Sequence, residues 1–170
     1  AAHIRADPTG LIHPTIDGLE TSYYEWLYAG RVELRQQYSA IQRGHQCLQT
    51  ICHGFDDTHQ YLRLDIDLTQ LAQLSAWTIE LALANGLVID IRPDQAGARA
   101  SLRNDPSILL PCALARLIEL AIPNSLLAEE KLRLALSLRE GPDVLERYPA
   151  EGTFELLASA SHLDPHAWLV

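Results

Sequence analysis

The chain has 170 residues, 48% of them apolar and 21% charged, with a formal net charge of −9. That is the length of one domain with enough apolar content for a core, which excludes a disordered chain. The negative charge argues against nucleic acid and anionic membranes as partners, since their phosphates need Lys/Arg clusters; of the thirteen basic residues only Lys131 is a lysine.

In chain order, residues 1–10 read as a tail and residues 11–170 as a single domain. The absence of Met points to a piece of a longer protein. Glu20–Tyr28 predicts one or two helical turns, stopped at Gly30. Strands are expected at Arg31–Tyr38 and Gln46–His53, followed by a turn over Gly54–His59. From Tyr61 to Ile66, Leu62, Leu64 and Ile66 alternate with Tyr61, Arg63 and Asp65, the two-residue period of a strand with one face inward. Trp77, Ile79, Leu81 and Leu83 alternate in the same way, as do Leu87, Ile89 and Ile91. Asn85-Gly86 between them predicts a hairpin of residues 76–84 and 86–92 with positive φ at both central positions. Further strands are expected at Ala98–Asn104 and Leu114–Ile122. A short helix over Leu126–Glu130 is capped by Asn124 or Ser125. Lys131–Leu138 alternates four leucines, and Val144–Tyr148 and Thr153–Leu157 complete the set. About ten short strands with regular turn punctuation, and no βαβ rhythm, predict an all-β fold: a sandwich or barrel of antiparallel strands with one or two short helices.

Chemistry-bearing motifs are scarce. No CxxC or HExxH spacing occurs, so no metal site is expected from the usual zinc patterns. Cys47 and Cys52 are expected on opposite faces of one strand as buried thiols, and three cysteines do not make a disulfide framework. His162 and His166 around Asp164, and Asp56, Asp57, Asp65 and Asp67 around the Gly54 turn, are the weak cation alternatives, the latter for calcium. Turn chemistry for Asp56 and Asp57 and a solvated face for Asp65 are the plainer readings. No GxSxG elbow and no phosphate-binding glycine loop is present. No catalytic residue and no cofactor is therefore expected. No apolar run is long enough to span a membrane and the first residues form no apolar leader-like run, so the chain is expected to be soluble and cytoplasmic.

The aromatics carry the one local concentration. Tyr23, Tyr24, Trp26 and Tyr28 fall within six residues. Such a cluster serves either as a stacking platform for glycan or as an anchor on a neighbouring domain, where Trp and Tyr dominate binding energy.

These motifs resemble a known family. Ile16-Asp17-Gly18, the run from Thr21 through Tyr23-Tyr24-Glu25-Trp26-Leu27 to Gly30, Gly54-Phe55-Asp56, Tyr61-Leu62-Arg63-Leu64-Asp65, Ser137-Leu138-Arg139-Glu140 and Leu145-Glu146-Arg147-Tyr148-Pro149 are similar to the segment after the catalytic barrel in bacterial family 57 glycoside hydrolases. Trp168 fits that family's ending. The resemblance covers residues 11–170; in it, Tyr28 stands where a Gly is expected. It implies a sandwich similar to family-9 carbohydrate-binding and DOMON-like domains. It also implies a non-catalytic accessory role in an α-glucan-active enzyme, with the parent's catalytic barrel as partner and α-glucan as a weak ligand. The catalytic carboxylates of that family belong to the barrel, so no residue here inherits their role. The alternative is a stand-alone DOMON-like sandwich for a small ligand or haem. With no Met in the chain, only His remains as an axial ligand.

Overall fold

The computed structural model describes residues 4–20, 22–35, 46–127 and 131–158. Among the described residues thirteen strands are present: β1 (Ile4–Ala6), β2 (Gly30–Glu33), β3 (Leu48–Phe55), β4 (His59–Ile66), β5 (Thr78–Leu83), β6 (Val88–Asp94), β7 (Gly97–Leu102), β8 (Leu109–Leu110), β9 (Cys112–Leu114), β10 (Ile118–Pro123), β11 (Lys131–Glu140), β12 (Asp143–Tyr148) and β13 (Phe154–Leu157). They form two antiparallel sheets. Sheet A runs β1-β2-β3-β4-β10-β9; sheet B runs β12-β11-β5-β6-β7-β8, with β13 also paired to β11. Lys131–Leu134 of β11 pairs β13, and Leu136–Glu140 pairs β12, so two short strands share one flank of the longest one. The all-β, antiparallel sandwich read from the sequence is the fold observed.

The alternating leucines do what their period requires. Leu132, Leu134, Leu136 and Leu138 of β11 meet Ile79, Leu81 and Leu83 of β5 and Ile89 and Ile91 of β6 in one buried cluster. From sheet A, Ile51, Leu62, Leu64, Ile118, Leu120 and Ile122 join it. At about 25 cal/mol per Å² of apolar area removed from water, this inter-sheet layer is the main source of stability. Two polar side chains intrude on the inward face of sheet A. His53 and Gln60 are 1% and 0% exposed, and none of their side-chain nitrogen or oxygen atoms has a hydrogen-bond partner.

A second, smaller cluster lies on the outer face of sheet A. Cys52, Tyr61 and Ala121 point away from the inter-sheet core, and Ile12, Trp26, Ile16 and Ala29 cover them. The cover is the long connection between β1 and β2, hereafter the strap. It is tied at Thr9 N to Tyr28 O (2.9 Å) and Ile12 N to Phe55 O (3.0 Å). Gly54 leaves room for it, since a Cβ there would lie 2.6 Å from Ile12 Cδ1.

Several local readings change. Residues 4–6 are not a free tail: they pair with β2 as the edge of sheet A. The Asn85-Gly86 hairpin forms, but only Gly86 takes positive φ (95°). Gly86 N donates to Leu83 O, and Asn85 Oδ1 caps Leu87 N. The loop is thus three residues long, a type I turn closed by glycine, rather than a two-residue mirror-image turn. The strand expected over 114–122 breaks into β9 and β10, because Arg116 N and Leu117 N turn aside to Gly18 O. The helical turn near Tyr24 is a 3-10 turn, Tyr23–Trp26, with a capping box in which Ser22 and Glu25 bond each other's backbone amides. Asn124 and Ser125, expected as caps, lie within a 3-10 turn over Asn124–Leu126, and residues 128–130 of the expected helix lie outside the described residues. A nine-residue 3-10 helix, Leu68–Ala76, was not expected; Asp67 caps it through Thr69 N.

Candidate functional site

The aromatic run sits on the strap, above the outer face of sheet A. Its members do not act together. Tyr23, Tyr24 and Tyr28 are 71%, 73% and 50% exposed, and Leu19 and Leu27 beside them are also exposed. Tyr23 and Tyr24 meet edge to face with ring centroids 5.5 Å apart. Trp26 is only 8% exposed and belongs to the small outer core. Its ring is therefore not a surface on which a sugar or a neighbouring domain can stack. The 3-10 turn explains the division: it points Trp26 into the sheet and leaves Tyr23 and Tyr24 on the solvent side.

What holds Trp26 was not legible. Its Nε1 donates to Glu119 Oε2 (3.1 Å), while Gly18 N (2.7 Å) and Asp17 N (3.2 Å) donate to Glu119 Oε1. Glu119 is fully buried, and burial pushes its carboxyl pKa up despite those three donors. Gly18 has φ 76°, and a Cβ there would come within 2.5 Å of Ala115 N. Three of the runs that carry the family resemblance thus meet in one latch. Ile16-Asp17-Gly18 supplies the amides, Trp26 the indole, and Gly54 the clearance for Ile12. Their spacing in the sequence gives no sign of a partner on β10, a hundred residues away.

The acidic turn behaves as turn chemistry. Asp56 Oδ1 accepts from Thr58 N (2.8 Å) and His59 N (2.8 Å), and Asp56 Oδ2 accepts from Tyr61 Oη (2.6 Å). Burial would raise the Asp56 carboxyl, but these donors overcome it and hold the group below the usual carboxylate range. Asp65 pairs with Arg63 at 2.8 Å on the outer face. Among the described residues no group of three or more His, Cys, Asp or Glu side chains converges on a metal position. The His162, Asp164 and His166 grouping lies outside the described residues, as does Trp168.

The thiols are not poised for chemistry. Cys47 lies in the inter-sheet core and Cys52 in the outer one, as opposite faces require. Burial, and then Asp65, pushes the Cys52 thiol up to about 11; burial, and then Asp94, pushes Cys112 up to about 12. His53 is the buried histidine a haem would need. Its ring closes over Gly30, where a Cβ would lie 2.5 Å from Cε1, and burial and then Arg5 push its pKa down to about 4. Among the described residues no helix is long and apolar enough to cross a membrane.

No family model matches the chain, and neither a curated protein nor a solved structure does.

Proposed function

We propose that the chain is a non-catalytic β-sandwich module of an α-glucan-active enzyme of the family 57 type. It packs on that enzyme's catalytic barrel in the cytoplasm through the strap face around Tyr23, Tyr24 and Tyr28, and the same rings make a weaker contact with α-glucan. The observation that carries the reading is the apolar face made by three exposed tyrosines and Leu27. It lies on the run that most resembles the family, and aromatic side chains dominate interface energies. Trp26 has no part in the contact; its role is to hold the strap that presents the tyrosines.

Two measurements test this. Affinity electrophoresis in gels containing glycogen, with maltooligosaccharide titration alongside, should show weak retardation that Tyr23→Ala and Tyr24→Ala reduce. Absence of retardation removes the glucan contact. The reading frame that encodes the chain tests the parent enzyme: a family 57 barrel in it supports the module reading, and an unrelated protein overturns it.

A further inference from the structure

The outer face of sheet B carries an unusual density of arginine for so acidic a chain. Four guanidinium side chains, those of Arg92, Arg99, Arg103 and Arg139, project from adjoining positions of β6, β7, β11 and the residue after β7. Two carboxylates lie among them. Arg103 holds Asp90 through Nη2 (2.7 Å) and Nε (3.2 Å) and also reaches Glu80 (2.9 Å). Arg139 Nη1 donates to Glu80 at 2.9 Å. These bonds raise the Arg103 pKa, and against its burial they hold the Glu80 carboxyl below its ordinary value. Arg103, Arg139, Glu80 and Asp90 therefore form a neutral, preassembled frame.

Arg92 is the loosest member of this network, joined to it only by a long ion pair with Asp90. Its guanidinium is 3.8 Å from Asp90, its side chain is 60% exposed, and Arg99 lies directly across the β6–β7 ladder from it. Two like charges at opposed positions cost stability. Beside Arg92, three members of the frame, Asp90, Arg103 and Arg139, line a cleft of about 340 Å³ together with Thr78 and Ser101. That volume is at the small end of ligand sites. Its lining is mostly polar, with Leu102 and Pro106 beside the charged groups, and none of the residues that line it is aromatic.

We propose that this cleft binds a small, hydroxylated ligand bearing one oxyanion, a phosphate or a carboxylate, with Arg92 as the arm that takes the oxyanion. The guanidinium fork matches such groups in a bidentate way. The frame beneath keeps Arg103 and Arg139 fixed, so the ligand orders one side chain. Thr78 and Ser101 supply hydroxyls for the ligand's own. The site lies on the sheet opposite the tyrosine face and is independent of the module reading.

Titration of the ¹⁵N-labelled chain with inorganic phosphate, and separately with acetate, tests this. Saturable amide shifts at Arg92, Ser101 and Arg103 are expected with at least one of them, and the anion that saturates identifies the oxyanion. Arg92→Gln should weaken that binding about tenfold, the loss of one charge-assisted contact. The variant should melt within a few degrees of the parent chain, because it loses the exposed 3.8 Å pair with Asp90 and relieves the Arg92–Arg99 opposition. Arg31→Gln on sheet A makes the same change in net charge and should alter affinity less than about twofold. Shifts that are diffuse and unsaturable with both anions, or equal losses in Arg92→Gln and Arg31→Gln, would overturn the proposal.

Discussion

Glu119 and Glu146 are built alike and do different work. Each is a buried glutamate on a strand, and each accepts from two consecutive backbone amides and one aromatic donor. For Glu119 these are Asp17 N, Gly18 N and Trp26 Nε1. For Glu146 they are Cys47 N (2.9 Å), Leu48 N (3.1 Å) and Tyr148 Oη (2.8 Å). Burying a carboxylate is costly unless donors replace its water, and both sites supply them. The difference lies in what is joined. Glu146 runs from β12 of sheet B to the start of β3 in sheet A, so it ties the two layers across the core. Glu119 reaches from a finished sheet to the strap lying on its outside. The same donor set can therefore fasten the fold itself or fasten a cover to it.

The sharpest way to break this comparison is Glu146→Ala. It removes the buried acceptor of two amides and a phenol and should cost about 3 kcal/mol in urea unfolding, lost across the whole cooperative transition. A cost under about 1 kcal/mol would mean that Glu146 does not tie the layers. Gly18→Ala comes next at about 2–3 kcal/mol, from positive φ and the overlap with Ala115.

Glu119→Ala should cost about 2 kcal/mol and loosen the strap first. Amide exchange at Gly18 and the Trp26 indole should accelerate while exchange in β5 and β11 stays slow. Acid titration sharpens the point. The folded pKa of Glu119 lies above the ordinary 4.5, so the folded state holds this proton more tightly than the unfolded chain. Its contribution is complete below that ordinary value and is lost as pH rises through the folded pKa. The penalty of Glu119→Ala should therefore shrink as pH rises above the ordinary carboxylate value and through the folded pKa. Asp56 and Glu80 have lowered pKa values, so their contributions have the opposite sign, and they cancel when the variant is compared with its parent.

The smallest effect has the other direction. Gln60 is as buried as the two glutamates but its amide is unpartnered. Gln60→Met, close in shape and without the orphaned polar atoms, should raise stability by up to about 1 kcal/mol. A loss of that size would show that the amide does have a partner.

Legibility followed the range of the forces involved. Strands β4, β5, β6 and β11 were readable because a two-residue alternation is set within the strand itself. The Gly86 turn was readable as a hairpin but not as a turn type, since both geometries accept Asn-Gly. Strand β1 was missed because three residues carry no period. Glu119, on the outer face of β10, and Glu146, on the inner face of β12, carry no local mark of a buried carboxylate. Their donors, residues 17–18 and 47–48, lie about a hundred positions away, and nothing local encodes that approach. The tyrosines were found by clustering, whereas Trp26 could be separated from them only by the direction in which a 3-10 turn points it.

The strap also has an order of assembly. It leaves β1 and returns through β2 near the start of the chain, yet its anchors are Tyr61, Glu119 and Ala121. The Gly18–Glu119 bond spans 101 positions, and the surface it needs exists only once β10 has paired with β4. Closing so long a loop costs entropy that local contacts cannot offset. Docking of the strap therefore follows the pairing of β10 with β4 and cannot precede the synthesis of residue 121. In kinetic terms Trp26 reports the end of the reaction and not its nucleus: substitutions in the latch should speed unfolding and leave the folding rate nearly unchanged.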